Sequence, residues 1–234
     1  MRIVLIGGMN GFDTALFDLI NREWASPFLD HFLPVFSSFD AWKPIMIATA
    51  IGLAVFGRVR GRQLLLCVVI GLLLGDVMIS QGLKHLVNRP RPRDVHPGTI
   101  VRSLSPEKPR ILHVFDPPLV KEVAIAAEPS KRGRSFPSSH VLNVVMLATV
   151  VFRFHRIAGV IIACGAILVA WSRVYCGSHW PGDLPPSVLL GICVGLASFS
   201  IVSLLSRRFG WTGELRVDRL KSAGVPPGSS SPQP

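Results

Sequence analysis

The chain of 234 residues is 49% hydrophobic and 17% charged, with a mean hydropathy of +0.46, which argues against an ordinary soluble globule, where about 25% of residues are charged. Lys and Arg outnumber Asp and Glu by 25 to 14, a formal net charge of +11 that suits anionic lipid or nucleic acid. Only 8% of residues are aromatic, and the long apolar runs leave no soluble base-stacking platform, so nucleic acid is set aside as a partner.

In chain order, Met1 and Arg2 precede a short apolar stretch, residues 3–6, that runs into Gly7, Gly8 and Asn10 without a small-residue cleavage pattern, and no cleaved signal peptide is read there. Residues 11–37 mix apolar stretches with Asp13, Asp18, Arg22, Glu23 and Asp30. That is too much charge for a lipid-facing span and predicts one or two interfacial helices, so residues 1–37 form an interfacial N-terminal unit. A span takes about 20 mostly apolar residues, and five runs approach that size, at 42–57, 64–83, 138–154, 157–171 and 187–205. The expected fold is all-α, an integral membrane bundle of about five transmembrane helices within residues 38–208. Asp76 falls inside the second run, where a lone carboxylate costs about 2.5–3.5 kcal/mol on insertion scales, so it is expected to face a bundle partner rather than lipid.

Residues 93–134 carry Pro97, Pro106, Pro109, Pro117 and Pro118 among many charges and read as an extramembrane loop joining the second and third spans, long enough to imply a role beyond connection. Residues 209–234 turn polar and end in VPPGSSSPQP, a composition that predicts a disordered tail. Cys67, Cys164, Cys176 and Cys193 follow no paired metal spacing, so neither a zinc site nor a disulfide framework is expected. Short-loop cations at Arg58, Arg60 and Arg62, at Arg153 and Arg156, and at Arg207 and Arg208 all fall on one side, which the positive-inside rule assigns to the cytoplasm.

Three polar clusters then share the opposite face. Residues 84–92, KHLVNRPRP, close the second span, with Lys84 and Arg91 two helical turns apart if the helix outlasts Pro90. Residues 135–140, SFPSSH, open the third, where free backbone N–H groups and the helix dipole suit a phosphate. Residues 172–183, SRVYCGSHWPGD, join the fourth to the fifth and hold a cation, Arg173, a nitrogen nucleophile, His179, and a carboxylate, Asp183. Each cluster alone has a plainer reading: a snorkelling lysine, a helix cap with His140 a bystander, or an interfacial loop anchored by Trp180. His113 and Asp116 in the long loop read as solvated and stay outside the site.

Taken together, Lys84 with Arg91-Pro92, then Pro137-Ser138-Ser139-His140, then Ser172-Arg173 with His179 and Asp183 resemble, in order and spacing, the three-part signature of the type-2 phosphatidic acid phosphatase superfamily. Ser139 departs from the glycine that is more frequent in that family. The resemblance implies a membrane lipid phosphatase needing no metal or cofactor and working through a phosphohistidine. His179 is then the nucleophile, Asp183 its orienting carboxylate and His140 the acid and base, while Lys84, Arg91, Arg173, Ser138 and Ser139 hold the phosphate. Soluble vanadate-dependent haloperoxidases share the signature, but the apolar spans argue against them.

The layout is similar to bacterial undecaprenyl-diphosphate phosphatases, which implies undecaprenyl diphosphate as the first substrate to test and an active site on the outer face of the plasma membrane. Phosphatidylglycerophosphate, phosphatidic acid and lipid A phosphates are alternatives. So is transfer of the phosphate to a lipid hydroxyl. A non-enzymatic scaffold would have no need of His140, His179 and Asp183 together.

Overall fold

In a computed structural model the described residues are 11–107, 110–123, 126–128 and 133–211. The expectations for residues 1–10 and for most of the tail, 212–234, lie outside them. The charged N-terminal region forms α1 (Gly11–Asp18), running into a π-helical turn at Leu19–Glu23, and then α2 (Pro27–Ser37). Ser26 starts α2 by accepting the Leu29 N–H at 3.3 Å, and Pro27 sits in the first turn, where its missing N–H costs nothing. One side of each helix is docked, through Phe17 and Leu33, while Phe12, Phe28 and Phe32 stay exposed.

The bundle follows. Helix α3 (Phe39–Phe56) leads into a continuous helical rod built of α4 (Arg58–Leu72), a π-helical stretch at Leu73–Ser80 and α5 (Gln81–Val87). After a single short turn, α6 (Pro92–Val95), and the extramembrane segment come α7 (Ser139–Phe154) and α8 (Arg156–Tyr175); a 3-10 turn at Pro181–Asp183 then opens α9 (Leu184–Arg208). Four of these elements, Phe39–Phe56, Arg58–Val87, Arg156–Tyr175 and Pro181–Arg208, are long and apolar enough to cross a membrane.

The third expected span, α7, is shorter. Its 16 residues reach about 24 Å at 1.5 Å per residue, against a hydrocarbon core of about 30 Å. Protein covers it instead of lipid: Val141, Leu142, Met146, Ala148, Val150 and Val151 are buried, and α4, α8 and α9 pack around it. Met146 and Val150 form the bundle core with Cys67, Val194 and Val202. The outer faces of the long helices, by contrast, expose Ile47, Ile51, Val55, Val77, Ile161, Ile167, Leu189 and Leu204, the inverse of a soluble protein and the expected surface for contact with lipid tails.

Two small residues let α9 approach α7 closely. A Cβ on Gly191 would lie 2.7 Å from the Leu142 carbonyl oxygen, and one on Gly195 would lie 2.8 Å from Thr149 Cβ, the close backbone approach typical of membrane helix pairs.

The all-α expectation needs one amendment. The long loop contains an antiparallel ribbon of β1 (Ile100–Ser103) and β2 (Leu119–Glu122), in register from Ile100 opposite Glu122 to Ser103 opposite Leu119. This ribbon is bolted to the bundle end and to the N-terminal helices. Asn21 Nδ2 donates to the carbonyls of Ile100 at 2.8 Å and Tyr175 at 2.7 Å. Arg102, buried and ion-paired with Asp30, donates to the Asn21 and Tyr175 carbonyls at 2.8 and 3.0 Å. The Tyr175 hydroxyl completes the knot with a 2.5 Å bond to Asp30.

Candidate active site

The three polar clusters meet at one end of the bundle, where α5 ends, α7 begins, α8 ends and α9 begins. Helix α5 stops at Val87 because Asn88 takes a left-handed conformation, φ 49°, and its N–H caps the Lys84 carbonyl at 3.1 Å. Lys84 therefore projects from the last helical turn, whereas Arg91 lies beyond the helix in extended backbone. Arg91 is fixed by its own N–H to Gly133 O at 3.2 Å and by Nε to Arg134 O at 3.3 Å. The loop before α7 is thereby laced to the segment after α5.

Lys84 Nζ donates to Ser139 Oγ at 2.7 Å, and Ser80 Oγ shares the same hydroxyl at 2.7 Å. Ser139, expected as a phosphate donor, thus positions the ammonium in the resting structure. Ser138 is fully buried: its N–H donates to Ser187 Oγ at 2.9 Å, while its own Oγ has no partner. Asp76 is half-buried in the π-helical stretch of the same rod that carries Lys84. His113 pairs locally with Asp116 at 2.6 Å, away from these groups.

Residues 172–180 are buried without interruption. Arg173 Nη1 donates to the Ser37 carbonyl at 2.9 Å and to Ser37 Oγ at 2.6 Å, yet its Nε has no partner. Among the described ion pairs, none gives Arg173 a carboxylate. His140, in the first turn of α7, has the ring of Phe39 against its edge at 6.2 Å and lies within electrostatic range of Arg173, His179, Arg91 and Lys84.

His179 is almost fully enclosed, with Nδ1 facing Asp183 Oδ2 at 3.6 Å, an electrostatic contact longer than a hydrogen bond. Burial pushes its pKa down to about 4; Asp183 pulls the other way, and Arg173 and Arg91 reinforce the fall. The ring is therefore neutral at physiological pH. Burial also draws the Arg91 guanidinium down, with Arg93 adding to it and Asp94 and Asp183 opposing. Asp183 is held on both oxygens: Oδ2 accepts the Trp180 N–H at 3.0 Å and Oδ1 accepts Arg89 Nη1 at 2.7 Å.

All eight residues expected from the sequence thus lie at this end of the bundle. Four others escaped the sequence reading: Arg89 on Asp183, Asp13 on Arg89, Ser37 on Arg173 and Ser80 on Ser139. Arg89 sits inside the first cluster without any feature that singles it out. The other three lie in segments that read as interfacial helix or membrane span.

Comparison with known proteins fits this geometry. The chain is 31% identical over 212 residues to an undecaprenyl-diphosphatase of Sulfolobus acidocaldarius, covering 86% of this chain and 84% of the relative. It is 27% identical over 211 residues to a lipid A 4'-phosphatase of Bacteroides thetaiotaomicron, covering 87% and 83%. In fold it resembles the crystal structure of Aquifex aeolicus LpxE, with a TM-score of 0.59 and 23% identity over 86% of this chain and 99% of that one. It also resembles the transmembrane PAP2 type phosphatidylglycerolphosphate phosphatase of Bacillus subtilis, with a TM-score of 0.52 and 21% identity over 88% and 89%. The PAP2 superfamily profile matches residues 63–207, a stretch that takes in every one of the eight signature residues, and the chain belongs to that superfamily.

Proposed function

We propose that this PAP2-type membrane lipid phosphatase hydrolyses a lipid diphosphate, with undecaprenyl diphosphate the first substrate, through a phosphohistidine on His179 and without a metal. The observation that carries the reading is a buried cationic cradle beside a neutral histidine. Arg173 is nearly enclosed, has an unpartnered Nε and lacks a carboxylate among the described ion pairs. A buried charge left so is costly, and a phosphate group would relieve that cost.

In the proposed reaction Lys84, Arg91, Arg173 and the Ser138 hydroxyl hold the phosphate oxygens, the preorganised positive charge stabilising the transferring group. Nδ1 of His179 faces Asp183, which leaves Nε2 to attack phosphorus. As the P–N bond forms, the P–O bond to the leaving group breaks and His140 gives its proton to the departing oxygen. The bound phosphate's negative charge offsets the four positive or polarisable neighbours of His140 and so helps that ring carry a proton. His140 then takes a proton from water, whose oxygen attacks the phosphohistidine. The P–N bond breaks, inorganic phosphate leaves and His179 returns neutral. Acid–base assistance of this kind contributes typically about 10² to 10⁴ in rate.

The relatives support lipid phosphates as a class, and the undecaprenyl-diphosphatase likeness favours the diphosphate. Phosphatidylglycerophosphate, phosphatidic acid and lipid A phosphates are the alternatives. The arginines of the opposite end support an active site on the outer face of the plasma membrane. Phosphate release by the detergent-purified protein in EDTA, with the four lipids side by side and His179→Ala in parallel, tests the reading. Release that the substitution abolishes supports it. Release from none of the lipids, or an alanine variant of equal activity, contradicts it.

A further inference from the structure

Arg89 has a place in the site that the three-part signature does not give it. Its guanidinium forks between two carboxylates: Nη1 donates to Asp183 Oδ1 at 2.7 Å and Nη2 pairs with Asp13 Oδ2. Asp13 Oδ1 in turn accepts the Gly182 N–H at 2.7 Å, one residue before Asp183. Trp180 closes the assembly. Its ring lies 5.6 Å from the Arg89 guanidinium carbon, its Nε1 donates to Pro90 O at 2.9 Å, and it packs against Phe17 of α1 at 5.1 Å. The loop that carries His179 is thus clamped between α1 and the segment after α5, and Arg89 is the group bonded to both clamping carboxylates.

We propose that Arg89 is a positioning residue of the active site, bridging Asp183 to Asp13 so that α1 fixes the carboxylate that orients His179. The proposal rests on His179 being the nucleophile. Asp183 is fully buried, where a carboxylate is costly unless it is paired and hydrogen-bonded. Arg89 supplies the pairing by a direct bidentate-capable fork, which a point-charge lysine does not reproduce with both partners at once. With its Oδ1 taken by Arg89 and its Oδ2 by the Trp180 N–H, the carboxylate is left one orientation, with Oδ2 toward His179 Nδ1. Arg89 also shares the Asp183 charge, so the carboxylate does not act on His179 at full strength. The other charged or titratable groups that act on the His179 ring are Arg173 from α8 and Arg91 from the segment after α5, with His140 of α7 also in range. Neither arginine is among the direct partners of Asp183.

A purely structural stitch would loosen α1 without changing the proton affinity of His179, and this separates the two roles. Histidine-labelled protein in detergent is titrated by 1H–15N NMR, the His179 signal being assigned by its loss in His179→Ala, and steady-state phosphate release is measured on the same samples. In Arg89→Gln the His179 midpoint should rise by about one pH unit, a tenfold gain in proton affinity. Turnover number should fall about 10²-fold with KM nearly unchanged. Arg89→Lys should restore the midpoint and part of kcat. A folded Arg89→Gln protein with an unmoved midpoint, or with wild-type kcat, overturns the proposal. If Arg89→Gln does not fold, Asp13→Asn carries the test, since it removes the outer anchor and leaves Asp183 intact: a lowered kcat is expected, and an unchanged one overturns the bridge. If the wild-type protein releases no phosphate, the catalytic reading fails on that result alone, whereas the NMR midpoint still decides whether Arg89 governs His179.

Discussion

At the residue scale, burial decides how the histidine behaves. A histidine in water takes up its proton near pH 6.5, but His179 does so near 4, because desolvation outweighs the pull of Asp183. In the proposed reaction attack requires the neutral ring, so the fraction competent to react is nearly full above pH 6 and declines only as pH falls through about 4. The His179 limb of kcat/KM for the free enzyme is therefore expected well below the ordinary histidine range, and a pH–rate profile from 3 to 8 that drops near 6.5 on account of His179 would contradict it. Ser139 makes a second test. Its hydroxyl takes the Lys84 ammonium, so Ser139→Gly removes the hydrogen bond that positions this flexible cation. KM is expected to rise several-fold with kcat retained, as measured by phosphate release. The signature residues were legible at this scale because their order and spacing mark them. Ser37 and Asp13 were not: their contacts with Arg173 and Gly182 join residues 136 and 169 apart in the chain, a distance over which no local pattern operates.

At the scale of elements, the apolar runs of the sequence located the bundle, and its departures have physical causes. Helix α7 is short because neighbouring helices, rather than lipid, surround it. The ribbon β1–β2 left no trace in the sequence, since each strand has four residues and every residue of β2 is exposed, so the alternation that betrays a half-buried strand is absent. The Gly191 contact was equally silent, as a lone glycine in an apolar run is unremarkable until a partner backbone is known. Gly191→Val would drive a branched side chain into the Leu142 carbonyl and Val145. Overpacking of that sort costs about 1–3 kcal/mol, and a Tm lowered by roughly 2–12 °C in detergent is expected by tryptophan fluorescence. A wild-type Tm would show that α9 shifts freely on α7.

At the scale of the molecule, the two ends of the bundle differ in kind. Arginines crowd the end where α3 meets α4 and α7 meets α8, while His140 and His179, the ribbon and the N-terminal helices occupy the other. If the arginine end faces the cytoplasm, as proposed, a membrane-impermeant maleimide applied to intact cells should label Phe115→Cys above the background of the unaltered chain and spare Arg207→Cys. The reverse pattern would invert the protein. The clamp on the loop that carries His179 also bears on how the protein is made. Asp13 leaves the ribosome early, Arg89 midway, and His179 and Asp183 only shortly before the last helix. A nascent chain halted after residue 135 holds Lys84, Arg89 and Arg91 but neither His140 nor His179. On the proposed assignment the site therefore stays incomplete throughout insertion, and a competent one forms only once α9 has entered the bilayer and α1 has closed on the turn at Pro181–Asp183.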